Sequence, residues 1–310
     1  MNKQLLAQLF LLFILTQALG LFAGNYLLEQ GIRTTIVSDN PEGMENALGL
    51  IIWILFITAV LLIVIKFAPE KLAALIFKAM ELLAIFGSGI IVTMPLNMGD
   101  LASILICLAL VSSRIIWKEN VLLRNITSII AAAGAGALIG ASIGTTPLLV
   151  FVLLIAAYDF IAVFRTGHMV TLAKSLTKKN LSFTYAMPTS LHSTEIEKND
   201  IAKGQSQADR RSPSLLPREG GKGHQYELGT GDMVVPLAFA VSVLGEATKI
   251  KFIPMPFALL PSLAILAVSL AGISFTLHYV SLEKGRVLPA LPVQAMLMAI
   301  VFCAIKFAGF

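Results

Sequence analysis

Apolar residues in this chain fall into nine long runs separated by short polar connections: Leu5 to Leu28, Ala47 to Ile65, Leu72 to Met94, Leu101 to Trp117, Ile126 to Ile143, Pro147 to Phe164, Leu228 to Ala247, Phe257 to Tyr279 and Leu288 to Phe307. Each holds about 17 to 24 residues, enough as a helix to cross roughly 30 Å of hydrocarbon. The first run has one lysine before it, lacks a small-residue cleavage site and exceeds a usual signal core, so it is expected to be a retained span. The pattern predicts an all-α polytopic membrane protein of nine transmembrane helices.

Composition agrees. Of 310 residues, 57% are hydrophobic and 13% charged, and the mean hydropathy is +0.84. Soluble domains carry about 25% charged residues. Cys107 and Cys303 both lie in apolar runs with no CxxC or His-x-x-x-His companion. They read as small buried hydrophobes rather than a disulfide or metal site.

The net charge of +5 matters less than where the cations stand. With nine spans the connections alternate sides. One side holds Lys3, Lys66, Lys71, Arg114, Lys118, Arg124, Lys284 and Arg286, while the other holds Arg33, Lys249, Lys251 and Lys306. The excess places the N-terminus in the cytoplasm and the C-terminus outside.

One connection is long. Residues 165–227 are polar and rich in Lys, Ser, Gly and Pro. They lack the apolar surface to fold alone and are expected to be a mobile cytoplasmic loop. It divides residues 1–164, with helices 1 to 6, from residues 228–310, with helices 7 to 9; the two parts form one membrane-embedded unit. A short apolar patch, Leu181 to Met187, could lie on the membrane surface or dock on the bundle.

Two aspartates interrupt the apolar pattern. Asp159 stands six residues before Arg165 at the end of span six, and Asp232 five residues after Glu227 in span seven. The spans run in opposite directions, so both carboxyls are expected about 8 to 10 Å below the same face. An acid in hydrocarbon is a functional candidate by default, and two at matched depth suggest a pair. Gly229 and Gly231 precede Asp232 and remove side chains where backbones must come close. Span nine opens on Leu288-Pro289-Ala290-Leu291-Pro292, whose two prolines keep the chain extended beside the acids.

Tyr158-Asp159, Gly229-Thr230-Gly231-Asp232 and Pro289-Ala290-Leu291 together resemble the YD, GxGD and PAL signatures of the presenilin and signal peptide peptidase family of intramembrane aspartyl proteases. Each motif alone is weak, but their order on spans six, seven and nine is specific. The resemblance covers the second half of the chain, and the first half agrees in span number only. Thr230 stands where the family most often has leucine, a departure that bears on substrate preference more than on chemistry. The resemblance implies a presenilin-like bundle and an aspartic endopeptidase with Asp159 and Asp232 as its catalytic residues. Tyr158, Gly229, Thr230, Gly231, Leu288, Pro289, Ala290 and Leu291 would bind substrate or line the site. A cytoplasmic N-terminus matches the presenilin branch, which implies cleavage of type I transmembrane proteins. The short loops look like a prokaryotic, particularly archaeal, presenilin homologue, which implies the cell membrane as its location. Transmembrane-helix proteins and the lipid bilayer are the implied partners. Accessory subunits, cofactors, metals and nucleic acid are not called for, and a homo-oligomer is left open.

Two carboxyls a few ångströms apart in a low dielectric cannot both ionise, so the pair is expected to share a proton near neutral pH. The ionised member can activate a water, while the protonated member donates to the peptide carbonyl. The sequence assigns neither role. A substrate helix must unwind before attack, and extended chain before Pro289 is expected to pair with it as an added strand. Tyr158 could hydrogen-bond at the site or serve as a packing aromatic.

Other polar positions have plainer readings. Lys78 and Glu81 are three apart and can neutralise each other on one helix face. Gly136, Gly140 and Gly144 make a stripe suited to close helix packing. His278 is expected at an interface, and Asn125-Ile126-Thr127 on the cytoplasmic side should be unmodified. A proton- or cation-coupled transporter or channel would also use paired intramembrane acids. The spans show no inverted repeat and no third aligned acid. A prepilin-peptidase-like processing enzyme also uses a GxGD acid, with fewer spans and no PAL element.

Overall fold

The computed structural model describes residues 3–117, 120–162, 184–188, 225–248, 255–282 and 289–307. Among these, the apolar runs become nine α-helices: α1 (Lys3–Gln30), α2 (Met44–Phe67), α3 (Glu70–Thr93), α4 (Asp100–Ile116), α5 (Val121–Ser142), α6 (Thr145–Ile161), α7 (Gly231–Thr248), α8 (Met255–Leu282) and α9 (Ala290–Phe307). Seven are long and apolar enough to cross a membrane unaided; α4 and α6 have 17 residues each. At 1.5 Å per residue these two span only about 26 Å of a roughly 30 Å core.

Local chemistry sets the ends. Asn120 caps α5, its side chain accepting hydrogen bonds from the amides of Leu122 and Leu123 at 3.0 and 3.2 Å. A 3-10 turn, Met94–Leu96, leads to Asn97 and Gly99, both with positive φ, which reverse the chain into α4. In the connection from α1 to α2, Asn46 accepts from the amides of Val37 and Ser38 and donates to the carbonyl of Asn40. The amide of Gly144 reaches the carbonyl of Pro41 at 2.7 Å, fastening that connection to the turn between α5 and α6.

The centre of the bundle is α7. Of its 18 residues, 12 are buried, including the continuous stretch Val235 to Leu244, and α1, α5, α6, α8 and α9 surround it. Helix α2 is its opposite: of 24 residues only Asn46, Ala47 and Gly49 are buried. Ile52, Trp53, Phe56 and Ile63 are more than half exposed, a surface suited to lipid rather than water. It packs chiefly against α6.

Glycines set the approach to the core. A Cβ on Gly24 of α1 would lie 2.6 Å from Val241 Cγ2, and one on Gly245 would lie 2.8 Å from Leu28 Cδ2. Gly136 of α5 faces Leu237, and Gly140 faces Ala238 and Val241. Two members of the expected small-residue stripe thus admit α7, while the third, Gly144, lies against the Glu42 carboxylate in the connection from α1 to α2.

The structure adds an element that the periodicity did not indicate. Thr184–Pro188 (β1) pairs antiparallel with Gln225–Gly229 (β2), Thr184 opposite Gly229 and Pro188 opposite Gln225. The expected seventh span began at Leu228, but that residue belongs to β2 and the helix begins at Gly231. Strand pairing satisfies backbone groups that an extended chain would otherwise leave open at membrane depth. Strand β1 packs against α1 and α5, so the part of the apolar patch within it docks on the bundle. The mobility expected of residues 165–227 otherwise concerns positions outside the described residues.

Candidate active site

Asp159 lies two residues before the end of α6, and Asp232 is the second residue of α7. The two helices pack against each other. Both aspartates are half-buried, and the carboxylates are close enough for the charge of one to bear on the other.

The backbone around each acid is particular. At the end of α6 the amide of Ala162 reaches the carbonyls of both Tyr158 and Asp159. Ahead of α7, strand β2 ends at Gly229, and the Thr230 carbonyl accepts from the amides of Met233 and Val234, both at 3.0 Å. A carboxylate oxygen of Asp232 stands 3.7 Å from where a Cβ of Gly229 would be. The glycine therefore leaves open space beside that carboxylate, while Gly231 is exposed with nothing near its missing side chain.

Tyr158 is partly buried against the apolar core, next to Asp159 on α6, the helix against which α2 packs. In the PAL segment, Pro289 and Ala290 are buried and Leu291 packs against the main core. Leu288, and the chain before it expected to form a strand with substrate, lie outside the described residues.

Other polar side chains form a separate cluster. Glu81 binds Lys78 at 2.9 Å, as the spacing suggested, and also Arg114 of α4 at 2.9 Å. Arg114 and Arg124, counted above among cytoplasmic charges, are both buried. Cys107 is buried, whereas Cys303 is exposed, contrary to its reading as a buried hydrophobe. The reason is its place on a face of α9 that no other described helix covers: Ile300 and Met296, one turn and two turns earlier, are also largely exposed. Among the described residues no group of three or more His, Cys, Asp or Glu could hold a metal.

An acid closing one membrane helix, beside an acid opening the next, defines a polytopic membrane protein with paired intramembrane carboxyls. The family described as "Signal-peptide peptidase, presenilin aspartyl protease" matches residues 10–307, so the chain belongs to that family and is an intramembrane aspartyl protease. Solved structures have the same fold. A presenilin family intramembrane aspartate protease in space group C222 superposes with a TM-score of 0.64 at 18% identity, covering 98% of this chain and 99% of its own. One in space group P2 gives 0.62 at 18% identity, covering 97% of each. Among curated proteins none matches.

Sequence reasoning missed two features beside the acids. The β1–β2 pairing joins residues 37 or more positions apart, Pro188 and Gln225 being the nearest pair, which local pattern does not reveal. The other is Gln17, a buried amide halfway along α1 whose Nε2 donates to the carbonyl of Met233 at 3.1 Å. The signal available was a lone amide in mid-span, which reads equally well as a helix-packing contact.

Proposed function

We propose that Asp159 and Asp232 are the catalytic pair of this protease and that it hydrolyses peptide bonds within transmembrane segments. The observation that carries the reading is their placement: two half-buried carboxyls on adjoining ends of packed helices, within electrostatic reach of each other. Two such groups near each other share one proton. The ionised carboxylate takes a proton from water as the water oxygen bonds to the carbonyl carbon, and the protonated partner gives its proton to the carbonyl oxygen. As the resulting diol collapses and the C–N bond breaks, the carboxyl that took the water's proton gives it to the departing nitrogen, and the other carboxylate takes one from a diol hydroxyl, which restores the pair.

The space beside Asp232 at Gly229 is suited to a substrate backbone. Thr230, Gly231, Pro289, Ala290 and Leu291 complete the lining of the site, with Tyr158 on the side of Asp159. With the buried Arg114 and Arg124 set aside, six cations on one side against four on the other still support a cytoplasmic N-terminus, and type I single-span proteins are then the substrates whose direction suits the site.

Purified wild type, Asp159→Asn and Asp232→Asn, incubated in detergent with a type I transmembrane peptide, test the reading. Product from wild type alone supports it, and equal product from all three ends it. Cysteines introduced near residue 3, read with a membrane-impermeant thiol reagent in sealed cells, test the orientation.

A further inference from the structure

We propose that Gln17 is a positioning residue for Asp232, holding the first turn of α7 from outside the helix. The inference rests on the reading of Asp232 as a catalytic carboxyl. Pro236 lies inside α7, four residues after Asp232. Proline has no N–H, so the Asp232 carbonyl loses its intrahelical donor, and the ring crowds that same carbonyl. The turn bearing the acid is therefore held less firmly than an ordinary first turn.

Gln17 supplies a tie at the next residue. Its Nε2 donates to the Met233 carbonyl at 3.1 Å, using the second lone pair that a helical carbonyl keeps free. The glutamine is 3% exposed. Its place is secured by the parallel register of the two helices, since Gly20 and Gly24 meet Leu237 and Val241 one and two turns further on. The Gln17 Oε1, by contrast, is buried with no partner among the described residues. A methionine would fill the same space without an orphaned oxygen. The amide is thus explained by its N–H, and that N–H is spent on the residue following Asp232.

The test compares Gln17→Met, Pro236→Ala and their combination with wild type, measuring kcat and KM for a transmembrane peptide. Gln17→Met should lower kcat about tenfold, because small misplacement of a reacting group is costly, and leave KM within about twofold. Pro236→Ala returns the missing N–H and should recover part of that loss in the double variant. A wild-type kcat in Gln17→Met, a loss carried in KM, or no recovery in the double variant overturns the proposal. If Gln17→Met does not give monodisperse protein, Gln17→Asn, too short to reach Met233, takes its place under the same criteria. Asp232→Asn is run alongside. If it cleaves like wild type, the catalytic reading fails; if it is inactive while Gln17→Met is unaffected, only the role of Gln17 is lost.

Discussion

Arg114 donates from Nε to the Glu81 carboxylate across the α3–α4 interface at 2.9 Å, with both side chains almost wholly withdrawn from the surface. Lys78, the other partner of Glu81, is 28% exposed. Arg114→Met takes from Glu81 the partner buried with it and leaves the partly exposed Lys78, so it should destabilise the protein by up to about 3 kcal/mol, the low end of the cost of breaking a buried pair. Lys78→Met should cost much less, because a partly exposed ammonium keeps solvent as an alternative. Unfolding in mixed detergent micelles would rank the two, and equal losses would contradict the assignment of Arg114 as the principal partner.

Cleavage should follow a bell-shaped pH profile. At the acid limb both carboxyls are protonated and no base remains; at the alkaline limb both are ionised and no donor remains. Rates measured across both limbs, with folding monitored in parallel, check this. Activity that climbs steadily through the alkaline range would remove the shared proton from the mechanism.

A side chain at Gly140 would press on Ala238 and Val241 in the most buried part of α7. Gly140→Val is expected to cost about 1–3 kcal/mol through overpacking. It should also depress cleavage, since α7 carries Asp232. Gly87→Val in α3, where nothing lies near the missing side chain, should be close to neutral by the same assays.

At the far end of α7, Ser242 Oγ donates to the Ile143 carbonyl at 2.8 Å, and Thr145 Oγ1 donates to the Ser242 carbonyl at 3.3 Å. Ser242→Ala removes the first of these, with an expected loss of about 1 kcal/mol. Ten residues separate it from Asp232, so kcat should hold while the thermal midpoint falls. A matching fall in kcat would show that this distant anchor is coupled to chemistry.

The two cysteines offer a simple check on packing. A membrane-soluble maleimide should label Cys303 and spare Cys107 in folded protein, with both reacting after denaturation. Mass spectrometry of the peptides would distinguish them.

How much could be read beforehand depended on the range of the interaction. Hydrophobic runs mark helices because a span must satisfy its own backbone, and an acid within such a run stands out for the same reason. Lys78 and Glu81 were legible because i,i+3 spacing is local. Arg114 was not: nothing near position 114 says that its guanidinium turns inward to a residue 33 positions earlier. The start of α7 was placed three residues early because Leu228 is apolar whether in a strand or a helix, and its partner strand lies far back in the sequence. Gln17 and Pro236 acquire meaning only together, when α1 is laid along α7.

The partnership of α1 with α7 also bears on biogenesis. The ribosome makes α1 first, yet its glycine face has no seat until a segment some 216 residues later has entered the membrane. At roughly 5–20 residues per second that wait is on the order of 10–40 s. Until then that face must be covered by lipid, by the insertion machinery or by helices already made such as α5, and the acid-bearing turn takes its final shape only once most of the chain has been translated. On the proposed reading of Asp232, a newborn copy is expected to stay inert while the membrane around it is crowded with other unfinished helices.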